Sequence, residues 1–370
     1  MNETTGFLPL GDDFSPDKLR LARCAAGRSL AEIGELLGVT RQYAHKLEVN
    51  AIPSSTQLSR LCEVLGVKES FFFTPRKSGI ELEQCHFRSV RASTQTLRKT
   101  IAAQVEIFEL LVDELDKEVA FPAVGFAALD EPVVGAGQIE LVAERFRREQ
   151  GLGLGPLSSV TKLAEKIGVL VVNLAGADDR IDAFSLFNKR PLIVRNTSKE
   201  NPGRQRFDLA HELGHLVMHQ GIETGCRETE DQANRFASAL LMPRASFAAE
   251  FPAMRGKYLN WPALRDLKLR WKVSFKALIY RARALDLLSA DQAKSGFTYL
   301  ARKGYTKSEE FDDLIPMESP LLVQRAIDLL DYATWSRVLA GAGLATEMVV
   351  SQFMLKPPAP PLRLVKTIQR

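Results

Sequence analysis

Cysteine and histidine are both scarce in this chain. Four cysteines, Cys24, Cys62, Cys85 and Cys226, are scattered over 370 residues with no CxxC pair among them. That spacing argues against a disulfide framework or a structural zinc knuckle and leaves buried free thiols. No apolar run approaches the ~20 residues that a membrane helix needs. The opening MNETTGFLPLGDDF is acidic and lacks the basic-then-apolar order of an export signal, so a cytoplasmic protein without membrane contact is expected. Neither sign of charge dominates: 49 Lys and Arg face 45 Asp and Glu, a net charge of +4. Such a balance permits nucleic-acid binding through a local patch without arguing for it.

The length calls for two or three domains, and 45% apolar with 25% charged residues is a soluble globular composition. Residues 14 to 73 read as short helices with marked ends. Ser15 precedes Pro16 at a first helical position, and Ser29 stands three before Glu32 at the capping-box spacing. Gly38 supplies a turn and Thr40 caps TRQYAHKLEVN, after which comes TQLSRLCEVLGV. Two helices joined by GVT match a helix-turn-helix, whose second helix enters the major groove. Within it Ala44 and Leu47 face inward. Thr40, Arg41, Gln42, Tyr43, His45 and Lys46 remain for operator DNA: Arg and Lys suit guanine edges, Gln suits adenine, hydroxyls suit phosphates. A helical bundle with a solvated polar face would share this pattern. The run LAEIGELLGVTRQYAHKLEVN with TQLSRLCEVLGV resembles the XRE family of phage repressor and Cro proteins. One departure is Asn50 in place of the usual Gly, with Asn expected to serve as a left-handed cap.

Leu97, Ile101, Val105, Phe108, Val112, Leu115 and Val119 then recur at three and four residues, a heptad-like seam. It fits a helix packed on its own domain or, alternatively, a homodimer contact. Beyond residue 137, QIELVAERFRREQGL and SSVTKLAEKIG read as helices, and VLVVNL, DAFSLF and PLIVRN as strands. The glycines of GLGLGP follow no strand and precede no Lys-Ser/Thr, so they are a connector rather than a phosphate loop.

Three of the five histidines fall in RFDLAHELGHLVMH. His211 and His215 are four apart, hence on one helix face, with Glu212 beside them. This is the H-E-x-x-H arrangement, in which two neutral imidazoles bind zinc and the Glu acts as general base. Zinc requires a third ligand, for which His219, Cys226, Glu228 and Glu230 are the downstream candidates. Glu230 opens the amphipathic EDQANRFASALLMP, and Asn234, one turn on, could orient a ligand through a hydrogen bond. His219 fits a core or supporting position, since one straight helix seldom brings three consecutive turns onto one ion.

RFDLAHELGHLVMH followed by EDQANRFASALLMP resembles the ImmA/IrrE family of zinc peptidase-like proteins, as do AERFRREQGLGLGPLSSVTKLAEKIGVLVV and IDAFSL with RPLIVRN. KVSFKALIYRARALDLLSADQ is similar to that family's small helical module, and FRSVRAS to its joint with a helix-turn-helix. The resemblance implies that His211, His215 and Glu230 hold zinc and that Glu212 is the base. Tyr280 and Arg281 qualify as oxyanion stabilisers only by their place after the metal helix.

The expected fold is therefore α+β. Residues 1–75 form an all-α helix-turn-helix bundle and 76–125 a connecting helix. Residues 126–250 form a mixed α/β zincin-like peptidase domain with a small sheet. Residues 251–370 are a helical module with the Pro-rich tail KPPAPPLRLVKTIQR, in which WSRVLAGAGLATEMVVSQF has a faint second helix-turn-helix look. The resemblances imply a DNA-binding regulator with a protein partner. It is expected to be an autoregulating repressor or antitoxin of a toxin–antitoxin or mobile-element system. The alternative is an active zinc endopeptidase that cleaves a repressor.

Overall fold

Three short strands alternate their side chains between two separate cores. In β2 (Leu170–Leu174), Leu170, Val172 and Leu174 face the first core and Val171 the second; in β4 (Pro191–Asn196), Leu192 and Val194 oppose Ile193 in the same way. In β3 (Ala183–Phe187), Phe184 and Leu186 join the first core, which turns Ser185 towards the second. The computed structural model describes residues 14–76, 79, 86–87, 94–129, 131–174, 183–196, 201–222, 224–256, 258–305 and 308–359. Cys85, most of FRSVRAS and the end of the Pro-rich tail lie outside the described residues.

The sheet order is β1-β3-β4-β2, where β1 is the two-residue strand His86–Phe87. β1 pairs antiparallel with β3 (His86 opposite Ser185), β3 antiparallel with β4, and β4 parallel with β2. The β3–β4 hairpin is held from outside by α5 (Gln95–Leu115) and the turn after it. Asn188 donates to Glu109, Lys189 pairs with Asp113 and Arg190 with Asp116.

The first core gathers α1 (Pro16–Ala25), α2 (Leu30–Leu37), α3 (Arg41–Leu47), α4 (Ser55–Leu65) and a 3-10 helix Glu69–Phe73 around α5. The expected caps form: Ser15 accepts from Lys18, Ser29 and Glu32 close a capping box, and Thr40 accepts from Tyr43. Asn50 departs from expectation. It keeps a negative φ, and the chain leaves α3 instead through the amides of Val49, Asn50 and Ala51, which all reach the Lys46 carbonyl. No left-handed cap is needed there, which explains why a residue with a Cβ is tolerated.

The heptad-like seam is spent inside the chain. Ile101, Val105, Phe108, Val112 and Leu115 are buried against α1 and against a C-terminal trio, α14 (Leu322–Asp328), α15 (Tyr332–Ala342) and α16 (Thr346–Phe353). The rings of Phe108 and Phe353 lie 5.2 Å apart. Full burial of each such aromatic contributes about 1.5–3 kcal/mol, so α5 is the first core's axis rather than a spacer.

The second core holds α6 (Ala136–Glu149), α7 (Val160–Lys166), α8 (Pro202–Met218), α9 (Arg227–Leu241), α10 (Arg244–Glu250), α11 (Trp261–Trp271), α12 (Phe275–Ala284) and α13 (Ala290–Arg302). A sequence boundary at residue 250 thus separates segments that pack together. The GLGLGP connector wraps the buried Arg147, whose guanidinium donates to the carbonyls of Leu152, Gly153 and Gly155. Between the cores, α7 is stapled at both ends. Glu318 accepts from Ser159, Val160 and Thr161 and pairs with buried Arg206 of α8, while Glu165 accepts the amides of Leu321 and Leu322. No described helix is long and apolar enough to cross a membrane.

Candidate metal centre and nucleic-acid face

The metal-centre candidates sit where α8 crosses α9. Asn201 caps α8 by accepting from Arg204, and Pro202 occupies the first turn. Gly214 makes the crossing close: a Cβ there would meet Phe236 of α9 at 3.0 Å. That proximity brings Glu230 over the histidine pair. Among the described residues, His211, His215 and Glu230 form the group able to hold a metal ion, with one donor atom each and all three within 4.8 Å.

Their geometry fits a tetrahedral ion. Nε2 of His211 and Nε2 of His215 are 3.0 Å apart, and the Glu230 oxygens stand 3.4 Å and 3.5 Å from them. Donors around a zinc ion at ordinary bond lengths are separated by about 3.3 Å. Both histidines are fully buried, and Glu230 Oε1 is buried without a hydrogen-bond partner.

The partners on the far side of each ring decide where the lone pairs point. His211 Nδ1 lies 3.0 Å from Asn234 Oδ1 and donates to it. The His215 tautomer is fixed from a backbone carbonyl outward. Val133 can only accept, so Gln232 turns its amide nitrogen to it, 3.0 Å away, and presents Oε1 to His219 Nε2 at 2.7 Å. His219 therefore carries its proton on Nε2, and burial lowers its pKa and keeps it neutral. Its Nδ1 must then accept from His215 Nδ1, 2.9 Å away. Both Nε2 atoms are left with lone pairs aimed at one point beside a carboxylate. Such a constellation requires a cation there, a metal ion or a proton. Burial alone would raise the Glu230 carboxyl; when that cation is a proton carried by the imidazoles, their hydrogen bonds and charge hold it down at about 2.

Glu212, on the same turn as His211, is fully buried, and one carboxylate oxygen accepts from the Ser185 hydroxyl at 2.7 Å. Sequence reasoning missed Ser185, Gln232 and the link that His219 makes between Gln232 and His215. The signal available for Ser185 was a lone polar residue on the inward face of an apolar strand. The other third-ligand candidates stand apart: Cys226 is exposed beside the Thr229 hydroxyl, and Glu228 is exposed. Arg281 is also removed from the oxyanion role. It is buried, donates to the Met242 carbonyl and pairs with Glu140. Tyr280 lies on the wall of a cleft of about 910 Å³ that also reaches Asn234 but none of the three ligand residues.

In the first core, α3 buries Ala44 and Leu47 and leaves Thr40, Arg41, Gln42, His45 and Lys46 exposed, with Tyr43 half-buried. Comparison with known families agrees with both halves. Residues 19–72 match a helix-turn-helix profile, and residues 164–283 match the IrrE N-terminal-like domain. The chain is an XRE-type helix-turn-helix joined to an IrrE-like domain. The IrrE-like match takes in β2, β3, β4, α8, α9 and α12, and so all of His211, Glu212, His215, Glu230 and Asn234. Residues 73–163 and 284–370, including α5 and α14–α16, lie outside both matches. No curated protein matches the chain.

Proposed function

We propose that the protein is a DNA-bound regulator whose IrrE-like half holds one zinc ion on His211, His215 and Glu230. The observation that carries the metal reading is the convergence of two lone pairs, fixed by Asn234 and by the His219–Gln232 relay, upon one buried carboxylate. Recognition of operator DNA falls to Arg41, Gln42, His45 and Lys46 at base edges, with Thr40 and Tyr43 at phosphates. A protein that sits on an operator has the layout of an autoregulating repressor or antitoxin, and its protein partner is then a neighbouring toxin.

A second reading, an endopeptidase that cleaves a repressor, is favoured by Glu212. Zinc bound here would polarise a peptide carbonyl and lower the pKa of a water. Glu212 would accept the proton of the attacking water and pass it to the leaving amine. Ser185 holds the carboxylate in place for that transfer. Elemental analysis of the purified protein beside His211→Ala tests the shared premise, with about one zinc per chain expected and lost in the variant. Glu212→Gln separates the two readings: a regulator keeps its repression and metal, whereas a peptidase loses its effect on the repressor.

A further inference from the structure

The C-terminal helices repeat, position for position, the part of the helix-turn-helix unit on which they sit. Helices α4 and α15 are each 11 residues long. Ser54 caps the first by accepting from Gln57, and Asp331 caps the second by accepting from Thr334. Both end on a left-handed glycine, Gly66 (φ 66°, ψ 32°) and Gly343 (φ 71°, ψ 25°). At the same constant offset the buried Leu61, Val67 and Phe71 correspond to the buried Val338, Leu344 and Met348. Ser59-Arg60 likewise correspond to Ser336-Arg337.

The contact between the two segments obeys that correspondence. Lys68 donates its amide to the Gly343 carbonyl at 2.9 Å, and Ala345 donates its amide to the Gly66 carbonyl at 3.0 Å. Val67 bridges its own counterpart, Leu344, antiparallel. A Cβ on Gly66 would meet Met348 at 3.0 Å, and one on Gly343 would meet Phe71 at 2.8 Å. Exchanging the two segments maps each contact onto another, which is the property of an isologous two-fold interface.

We propose that the Gly66–Lys68 turn with Phe71 is a homotypic face that takes the same turn of a second copy of this chain, and that α15 and α16 hold it closed from within. Self-complementarity identifies the occupant. The paired hydrogen bonds are made by backbone alone, and the apolar contacts need only an aliphatic residue and a larger one beyond a glycine turn, which Val67 and Phe71 supply. The closed chain offers one recognition helix per particle. Opening it would set two about a two-fold axis, the arrangement that a palindromic site requires.

The test is sedimentation of the full chain as wild type, Gly343→Val and Leu344→Asp, each with Val67→Cys added. Gly343→Val drives a side chain into Phe71 at a backbone φ that disfavours it, and Leu344→Asp puts a charge into the bridge. Both leave the helix-turn-helix copy of the turn intact. The chain carrying Val67→Cys alone is expected to sediment as a monomer, and either opened variant to double its mass. The thiol introduced at position 67 of one copy should then link to the same thiol of another, because paired residues in an antiparallel bridge lie within about 4.5–5.5 Å of each other. Gly66→Val added to either variant should restore the monomer. Variants with wild-type helix content and a C-terminal trio open to protease that remain monomeric overturn the proposal. So does a closed chain that already dimerises through the thiol at position 67.

Discussion

Replacing Gln232 with Leu isolates the relay that stands behind the candidate metal centre. His219 is 2% exposed and its Nε2 proton has Gln232 as acceptor. Without that acceptor, His219 either keeps an unsatisfied buried donor, at a cost of about 1–3 kcal/mol, or moves its proton to Nδ1. The second course presents an N–H to His215 Nδ1 and forces the His215 proton onto Nε2, the atom that faces Glu230. Zinc binding must then first reset two tautomers. Either way the penalty falls in the range of a lost partner behind a metal ligand, about 10- to 100-fold in affinity, or about 1.4–2.7 kcal/mol. Competition of the metal-free protein against a chromophoric zinc chelator at neutral pH measures it. Gln232→Glu, which keeps the acceptor for His219 but loses the donor to the Val133 carbonyl, should preserve zinc affinity while lowering the stability of the fold. A Gln232→Leu protein that binds zinc as tightly as wild type would show that the relay does not set the orientation of His215.

Three further outcomes are expected. Arg41→Ala with Gln42→Ala should abolish a specific footprint without changing the melting temperature, since each base-edge contact is worth about 1–3 kcal/mol of discrimination; an unchanged footprint would displace α3 as the reading helix. Glu212→Gln should retain zinc by elemental analysis while losing any peptide cleavage detected by mass spectrometry. Glu318→Ala should destabilise the fold by about 3–5 kcal/mol in urea, because buried Arg206 loses its counter-charge. Burial pushes the Glu318 carboxyl up, but Arg206 and the α7 amides outweigh it and hold its pKa below the usual value. Its contribution is therefore complete above the unfolded carboxylate range and lost as pH falls through the folded value, so the gap between wild type and variant should narrow on acidification.

Local chemistry was legible in the sequence and distant pairing was not. The caps at Ser15, Ser29 and Thr40 and the three longer strands follow from residues within one or two turns of each other. The histidine pair follows from helical spacing, and Glu230 with Asn234 from family resemblance and helical phase. Ser185 and Gln232 gave no such signal, since each acts on a group far along the chain through a contact that only the packed sheet and helices create. Asn50 was misjudged for a related reason: the backbone exit from α3 is fixed by three successive amides on one carbonyl rather than by a left-handed residue after the helix. The partition of α11–α16 between two cores escaped because all six helices are amphipathic, and amphipathicity does not name the partner.

The sheet with both faces occupied bears on how such a protein can be taken apart or recombined. A fragment ending at residue 75 would strip α1 of α5 and take from Phe71 the Gly343 turn that packs on it. A fragment beginning near 126 would keep α14 and α16 against β2 but take α5 from the core that Leu170, Val172, Leu192 and Val194 join in the intact chain. A graft of a foreign DNA-reading unit would therefore have to bring α5 and α14–α16 with it, although these helices lie on either side of the IrrE-like match in the chain. Evolutionary exchange of the two halves meets the same constraint: the heritable unit of the helix-turn-helix core is discontinuous, threaded through the gene on both flanks of the IrrE-like segment.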